Sequence, residues 1–188
     1  MEESYHHGAL RQALLADGRR LLVENGVDAV SLRELARRAG VSHGAPRRHF
    51  ADREALLEAI ATEGFDELSE VVRSALEAEQ PAARLSAYAH AFVRFATANG
   101  PLLTLMFGFK AEGESVALTA AAGRFFALGA EFIGGDAKRV GTATYLVAAT
   151  LEGISALAAS GRVPGDRVDE VVDAAVAMLS PLIQRSVD

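Results

Sequence analysis

Residues 31–52 read SLRELARRAGVSHGAPRRHFAD and predict a helix, a glycine turn and a second short helix. Ser31 can accept hydrogen bonds from the backbone N–H groups at a helix start, and Glu34, three residues on, completes a capping box. Gly40 can adopt the positive φ that ends this helix, and Ser42 can cap the next one. The stretch therefore has the helix-turn-helix pattern, whose second helix can lie in the major groove of DNA.

The charge of this stretch differs from that of the whole chain. Six arginines and two acidic residues lie between Arg33 and Arg53, a balance of +4, whereas the chain carries −6. All of that negative excess falls in residues 61–188, because residues 1–60 hold equal numbers of arginines and acids. An arginine-rich run is often only a solvated helix face, but these arginines concentrate around one turn. The asymmetry favours a nucleic-acid-binding segment attached to a body that does not contact phosphates.

Residues 5–60 resemble the N-terminal domain of the tetracycline-repressor (TetR) family of bacterial transcription regulators, over the sequence YHHGALRQALLADGRRLLVENGVDAVSLRELARRAGVSHGAPRRHFADREALLEAI. The resemblance implies an all-α homodimer with a three-helix DNA-binding domain and a larger C-terminal domain for dimerisation and ligand binding. Arg47 stands where the family usually has Tyr, which commonly contacts a phosphate or a thymine methyl. Arg47 is therefore expected either to shift the preferred base or to add a phosphate contact.

Composition agrees with such a regulator and gives no sign of an enzyme. Half of the 188 residues are hydrophobic, only five are Pro, and the absence of Cys excludes disulfides, thiolate metal sites and cysteine nucleophiles. The chain has no G-x-S-x-G, H-E-x-x-H or Walker glycine loop, so neither catalysis nor a cofactor is expected. The N-terminus is polar, and the apolar stretch Tyr145–Ala159 is interrupted by Glu152 and is shorter than the roughly 20 residues of a membrane span. We therefore expect a cytoplasmic protein with no membrane contact.

Capping and breaking residues predict about nine helices. Their expected bounds are about Gly8–Glu24, Leu32–Ala39, His43–Arg48, Asp52–Glu79, Pro81–Ala98, Pro101–Phe107, Ser115–Phe132, Asp136–Ser160 and Asp166–Gln184, with a loop at Lys110–Glu114. Residues 1–52 form the expected DNA-binding domain. Residues 53–188 form the expected ligand-binding and dimerisation domain, and the helix that starts near residue 53 joins the two.

Two groups of residues are expected to contact DNA. The exposed face of the recognition helix should read bases through His43, Gly44, Ala45, Arg47 and Arg48. Residues placed near the starts of helices or beside them should bind phosphates, namely Ser31, Arg33, Ser42, His49 and Arg53.

Aromatic and soft side chains recur on the predicted fifth to seventh helices, and polar candidates lie on the eighth. Ligand pockets are mostly apolar, and the resemblance implies one in this domain, although any single residue of this kind can be ordinary core. The predicted pocket residues are Tyr88, Phe92, Phe95, Met106, Phe107, Phe125, Phe126, Thr150 and Glu152. The expected effector is an unknown, largely apolar small molecule, and Glu152 can pair with a cationic ligand, a histidine or the partner subunit.

Small residues mark the last two predicted helices and allow close helix packing. In the TetR family these helices from each protomer form a four-helix dimer interface. The residues expected there are Ala149, Gly153, Ala156, Ala175, Met178 and Leu179. Packing inside one chain, without a partner, is the alternative.

These features together predict a ligand-responsive regulator, a repressor that a small molecule releases from a palindromic double-stranded DNA operator. The alternative function is a helix-turn-helix protein-interaction module without sequence-specific DNA binding.

Overall fold

The computed structural model describes residues 2–77, 83–108, 115–132 and 141–187, apart from the side chains of residues 2–8, 132, 182 and 184–187. These ranges contain helices and turns and no strand, so the predicted all-α fold is confirmed. The predicted loop at Lys110–Glu114, the helix start at Pro81 and the cap at Asp136 lie outside the described residues.

Eight α-helices and three short 3-10 turns make up the described chain. The helices are α1 Glu2–Asn25, α2 Leu32–Arg38, α3 Arg53–Glu77, α4 Arg84–Ala98, α5 Gly100–Gly108, α6 Val116–Phe132, α7 Thr142–Ala159 and α8 Val168–Val187. The 3-10 turns are Val27–Ala29, Pro46–Arg48 and Gly165–Arg167.

The predicted helix over His43–Arg48 is wrong, because this segment is a 3-10 turn over Pro46–Arg48. Its backbone bonds span three residues: Ala45 N–H donates to the Ser42 carbonyl at 2.9 Å and Arg48 N–H to the Ala45 carbonyl at 3.2 Å. Pro46 has no N–H to donate, which removes one bond of an α-helix at the centre of the segment. Poorly helix-forming Gly44 precedes it, and so the tighter turn forms.

The described chain divides into two compact units. Unit 1 comprises residues 1–64 and 101–119, and unit 2 comprises residues 65–100 and 120–188, in each case as far as they are described. The expected functional boundary between residues 52 and 53 remains a prediction.

The core of unit 1 joins α1, α2 and the first part of α3. Leu102 of α5 also belongs to this core, whose most buried large side chains are Leu14, Leu15, Leu22, Val30, Leu35, Leu56, Ile60 and Leu102, with Phe50 only slightly more exposed. Glycines let helices approach closely: a Cβ at Gly18 would lie 2.9 Å from Ile60 Cδ1, and one at Gly64 would lie 2.7 Å from Met106 Sδ. The helix-turn-helix therefore rests on a packed core of its own.

Unit 2 is built on α4, α7 and α8, which pack against one another. His90 on α4 lies between two carboxylates of α8, with Nδ1 3.2 Å from Asp169 Oδ1 and Nε2 2.8 Å from Asp173 Oδ1. Among the described helices, α7 alone is long and apolar enough to cross a membrane by length and composition. It uses Val147 and Leu151 as part of the core of unit 2.

A single arginine ties the start of α3 to the segment that precedes α2. Arg53 Nε donates to the Val30 carbonyl at 2.8 Å, and its Nη2 donates to the Val27 carbonyl at 2.6 Å. Asp52 caps the same helix by accepting from Ala55 N–H at 2.8 Å. These bonds fix both flanks of the helix-turn-helix, because Val30 precedes α2 and Arg53 follows the recognition turn.

We expect Arg53→Lys to lower the free energy of unfolding by about 1–2 kcal/mol, since a lysine ammonium cannot span both carbonyls and hydrogen bonds to charged groups are comparatively strong. Urea denaturation at a single protein concentration measures the loss. Arg73→Lys is the control, because Arg73 forms only an exposed pair with Glu70 along α3, worth about 0.5 kcal/mol. Equal losses of unfolding free energy in Arg53→Lys and Arg73→Lys would show that the two bonds of Arg53 to carbonyls do not stabilise the fold.

Candidate nucleic-acid interface

The recognition segment, residues 42–50, is held at both ends by backbone geometry and burial. Gly40 has φ +65°, which confirms the predicted glycine turn after α2, and Val41 N–H then donates to the Ala36 carbonyl at 3.0 Å. Beyond the turn, Pro46 and Phe50 are buried, and Phe50 N–H donates to the Pro46 carbonyl at 3.0 Å. The recognition segment is thus short, and the protein core holds both of its ends.

Most side chains expected to read bases lie on the outer face of this segment. His43, Gly44, Arg47 and Arg48 are exposed, and Ala45 is half-buried. Within the described residues, neither Arg47 nor Arg48 forms a side-chain hydrogen bond or ion pair. Their guanidinium donors are therefore available to an external acceptor, and contact with a base edge or a phosphate remains a prediction.

The arginines of α2 differ from one another in their partners. Glu34 accepts from Arg37 Nη2 at 2.6 Å and from Arg38 Nε at 3.0 Å. Hydrogen bonds from Arg37 and Arg38 lower the pKa of Glu34 to about 2. Arg33 is exposed and has no acidic partner in the described residues. Glu34 therefore neutralises part of the local positive charge and leaves Arg33 for an anion.

The two serines expected at helix starts behave differently. Ser31 Oγ accepts from Glu34 N–H at 3.2 Å, so this half of the predicted capping box is present. No side-chain cap stands at the start of the 3-10 turn, and the predicted cap by Ser42 is therefore wrong. Ser42 offers its carbonyl to Ala45 N–H because the short turn places no amide at its hydroxyl.

Two further residues lie at the buried end of the recognition segment, His49 within it and Arg11 against it. His49 is half-buried, and its N–H donates to the Pro46 carbonyl at 3.0 Å. Arg11 on α1 was not singled out from the sequence, yet its guanidinium carbon lies 5.3 Å from the ring centroid of Phe50. This cation–π contact supports the buried end of the segment.

The predicted pocket residues belong to different units. Met106 and Phe107 are in unit 1, where Met106 packs against Gly64. The other seven are in unit 2, namely Tyr88, Phe92, Phe95, Phe125, Phe126, Thr150 and Glu152. Within unit 2, the ring of Phe125 has its centroid 6.1 Å from those of Phe65 and Phe92 and 5.5 Å from that of Phe126. These rings form a packed aromatic cluster, and their role in binding a ligand remains a prediction.

Three polar residues of the predicted pocket, Tyr88, Thr150 and Glu152, also belong to unit 2. Burial raises the pKa of Tyr88, and the charge of Glu152 raises it further. Glu152 is half-buried, and burial raises the pKa of its carboxyl. A Cβ at Gly129 would lie 3.4 Å from the Tyr88 hydroxyl. Thr150 donates within α7 to the Leu146 carbonyl at 2.7 Å.

The residues expected in a dimer interface fall into two groups. Ala149, Gly153 and Ala156 on α7 and Met178 on α8 are exposed. Ala175 and Leu179, by contrast, are only 7% and 5% exposed, because they face the interior of the protomer.

The sequence prediction missed three large apolar residues on the outer side of α7. Tyr145, Leu146 and Leu157 are 59%, 46% and 41% exposed. A helix that is apolar on every face, as α7 is, signals burial on more than one side. The outer faces of α7 and α8 are therefore the apolar surface that a partner can cover.

Comparison with known proteins places this geometry in a family. Residues 14–60 match the family model described as bacterial regulatory proteins, tetR family. A protein of unknown function from Rhodococcus sp. RHA1 has a similar structure, with 41% identity, TM-score 0.82 and coverage of 93% of this chain and 95% of that one. No curated protein matches the sequence.

Two more distant structures share the fold. The TetR-family transcriptional regulator PfmR from Thermus thermophilus is 21% identical, with TM-score 0.65 and coverage of 88% of this chain and 96% of that one. A TetR variant from Acinetobacter baumannii AYE in complex with minocycline is also 21% identical, with TM-score 0.65 and coverage of 93% and 96%. The family match over the helix-turn-helix and the likeness over the whole chain show that this protein belongs to the TetR family of DNA-binding transcriptional regulators.

Proposed function

We propose that this protein is a ligand-responsive repressor, a cytoplasmic homodimer that a small, largely apolar molecule releases from a palindromic operator. The observation that carries the proposal is the recognition segment. Arg47 and Arg48 are exposed there, without acidic partners in the described residues, and buried Pro46 and Phe50 hold the segment in place. Fixed, unneutralised guanidinium groups on a small projection suit the major groove of DNA.

The side chains of the segment divide into base-reading and phosphate-binding roles. One guanidinium can donate two hydrogen bonds to O6 and N7 of guanine, and the small Gly44 and Ala45 let the backbone approach a thymine methyl. Arg33, near the start of α2, is assigned to a phosphate together with Ser31, Ser42 and His49. Arg53 keeps three N–H donors for a phosphate after its two bonds to carbonyls.

The outer faces of α7 and α8 support the homodimer. Met178 is 64% exposed on α8, and Tyr145 and Leu157 are exposed on α7. Covering such apolar surface is favourable by roughly 25 cal/mol per Å². A two-fold dimer would present its two recognition segments to major grooves about 34–36 Å apart, which requires an operator with two-fold symmetry.

The aromatic cluster of unit 2 supports the ligand response. Its tilted and edge-to-face rings share unit 2 with two polar residues, Tyr88 and Glu152, and small-molecule sites likewise combine apolar walls with a few polar groups. Three continuous helices contribute residues to both units, namely α3, α5 (through Gly100 alone) and α6. A ligand that binds better to the conformation with low operator affinity shifts the population away from DNA.

The alternative, a protein-interaction module, would not depend on the exposed arginines for electrostatic binding. Selection of bound sequences from random duplex DNA, followed by affinity against salt, separates the two functions. An enriched palindrome whose affinity falls steeply with salt is the expected result, since each phosphate contact releases counterions. No enrichment, or affinity that salt does not change, would favour the interaction module.

Arg47→Ala should weaken operator binding by about 1–3 kcal/mol and relax the preference at one base pair of each half-site. Competition binding against operators changed at single positions measures both effects. The control is Arg162→Ala, which removes an exposed arginine from the loop after α7. A loss that is uniform over all operator variants would assign Arg47 to a phosphate.

Replacing Met178 or Leu157 by Asp should convert the dimer to monomers, because a buried unpaired charge disfavours the apolar interface. Sedimentation velocity over a range of concentrations measures the change, and binding to the full palindrome should weaken with it. Val116→Asp is the matched control, since Val116 is 81% exposed and lies in unit 1. A wild-type protein that sediments as a monomer would overturn the dimer.

Any effector found by its stabilisation of the protein should bind the operator complex more weakly than the free protein. By linkage, the factor by which operator DNA weakens effector binding must equal the factor by which saturating effector weakens operator binding. Isothermal titration of the same molecule with and without operator DNA measures it. Equal affinity for the two forms would show that the molecule does not control DNA binding.

A further inference from the structure

A concave site lies within unit 1. This groove, the α5 groove, has a volume of about 490 Å³ and is lined by Leu22, Val27, Arg53, Leu57, Pro101 and Leu105. It lies between the end of α1, the Val27–Ala29 turn, the start of α3 and α5. Its volume falls within the roughly 300–1,000 Å³ of small-molecule sites.

The floor of the α5 groove is apolar. Leu22, Leu57 and Leu105 contribute side chains that are buried in the core of unit 1 and close the groove from below. Val27 stands at its side and is 40% exposed. An alkyl or aryl group in the groove gains free energy mainly by removing Val27 and the exposed Pro101 from water, because the three leucines are already almost fully buried.

The wall of the groove supplies one cationic group. Arg53 uses its Nε and one Nη2 hydrogen for the carbonyls of Val30 and Val27, which leaves three N–H donors. No carboxylate of the described residues forms an ion pair with Arg53. The exposed Asp28 also lines the groove and repels anions, so a modest affinity is expected.

We propose that the α5 groove binds a small amphipathic carboxylate, with the apolar tail on Leu22, Leu57 and Leu105 and the carboxylate on Arg53. A guanidinium is the side chain best suited to a carboxylate, because its parallel N–H groups match the two oxygens. Arg53 also ties α3 to the segment before α2. A ligand in this groove therefore contacts the residue that holds the helix-turn-helix in place.

Octanoate is the probe, and 1-octanol is its uncharged counterpart. Isothermal titration of the full-length protein should show octanoate binding that is at least about tenfold tighter than octanol binding. Thr104→Trp should weaken octanoate binding by about tenfold or more, because an exposed threonine at the wall is replaced by a ring that fills the groove. Thr119→Trp, an exposed threonine on α6 in the same unit, should leave binding unchanged.

Arg53→Met should reduce octanoate binding to the level of octanol binding. Circular dichroism checks that Arg53→Met is folded. If Arg53→Met does not fold, the Thr104→Trp variant still tests the proposal. A photoreactive octanoate should label peptides from the end of α1, the start of α3 or α5. Labels confined to unit 2, full binding by Thr104→Trp, equal binding of octanol, or no octanoate binding would each overturn the proposal.

Discussion

The anchoring of a short, irregular segment at both of its ends is the constraint on which DNA recognition by this protein depends. A single 3-10 turn has too few hydrogen bonds to hold a fixed conformation by itself. At one end of the segment, Gly40 ends α2 with a positive φ. At the other end, Phe50 is buried, and the Arg11 guanidinium contacts its ring. The core of unit 1 therefore supplies the rigidity that the segment lacks, and arginines between the anchors remain at the surface.

The arginines of unit 1 show how one residue type takes several roles. Arg37 and Arg38 are neutralised by Glu34 on their own helix, and Arg53 is occupied by two backbone carbonyls. Arg47 and Arg48 have no such partner in the described residues. Glu34 consequently reduces the net positive charge of α2, whereas the charges of Arg47 and Arg48 on the recognition segment are not neutralised by a described residue.

In unit 2, the same helix supports the fold and offers a surface for association. The inner side of α7 packs with α4 and α8, while Tyr145 and Leu157 on its outer side stay in contact with water. On α8, Ala175 and Leu179 face inwards and Met178 faces outwards. Residues of α7 and α8 thus either pack in the core of unit 2 or lie exposed to solvent, and only the direction of each side chain in the structure distinguishes the two.

The sequence by itself determined the features that arise within a few residues: the cap of α2 by Ser31, the glycine turn at Gly40, most helix bounds and the all-α class. It also contained the reason for its one wrong helix, because Pro46 cannot donate the hydrogen bond that an α-helix needs there. Tertiary structure alone decided which groups Arg53 contacts and which small residues of α7 and α8 face out. Arg53 meets carbonyls 23 and 26 residues away, and such partners are brought together only when the whole core packs.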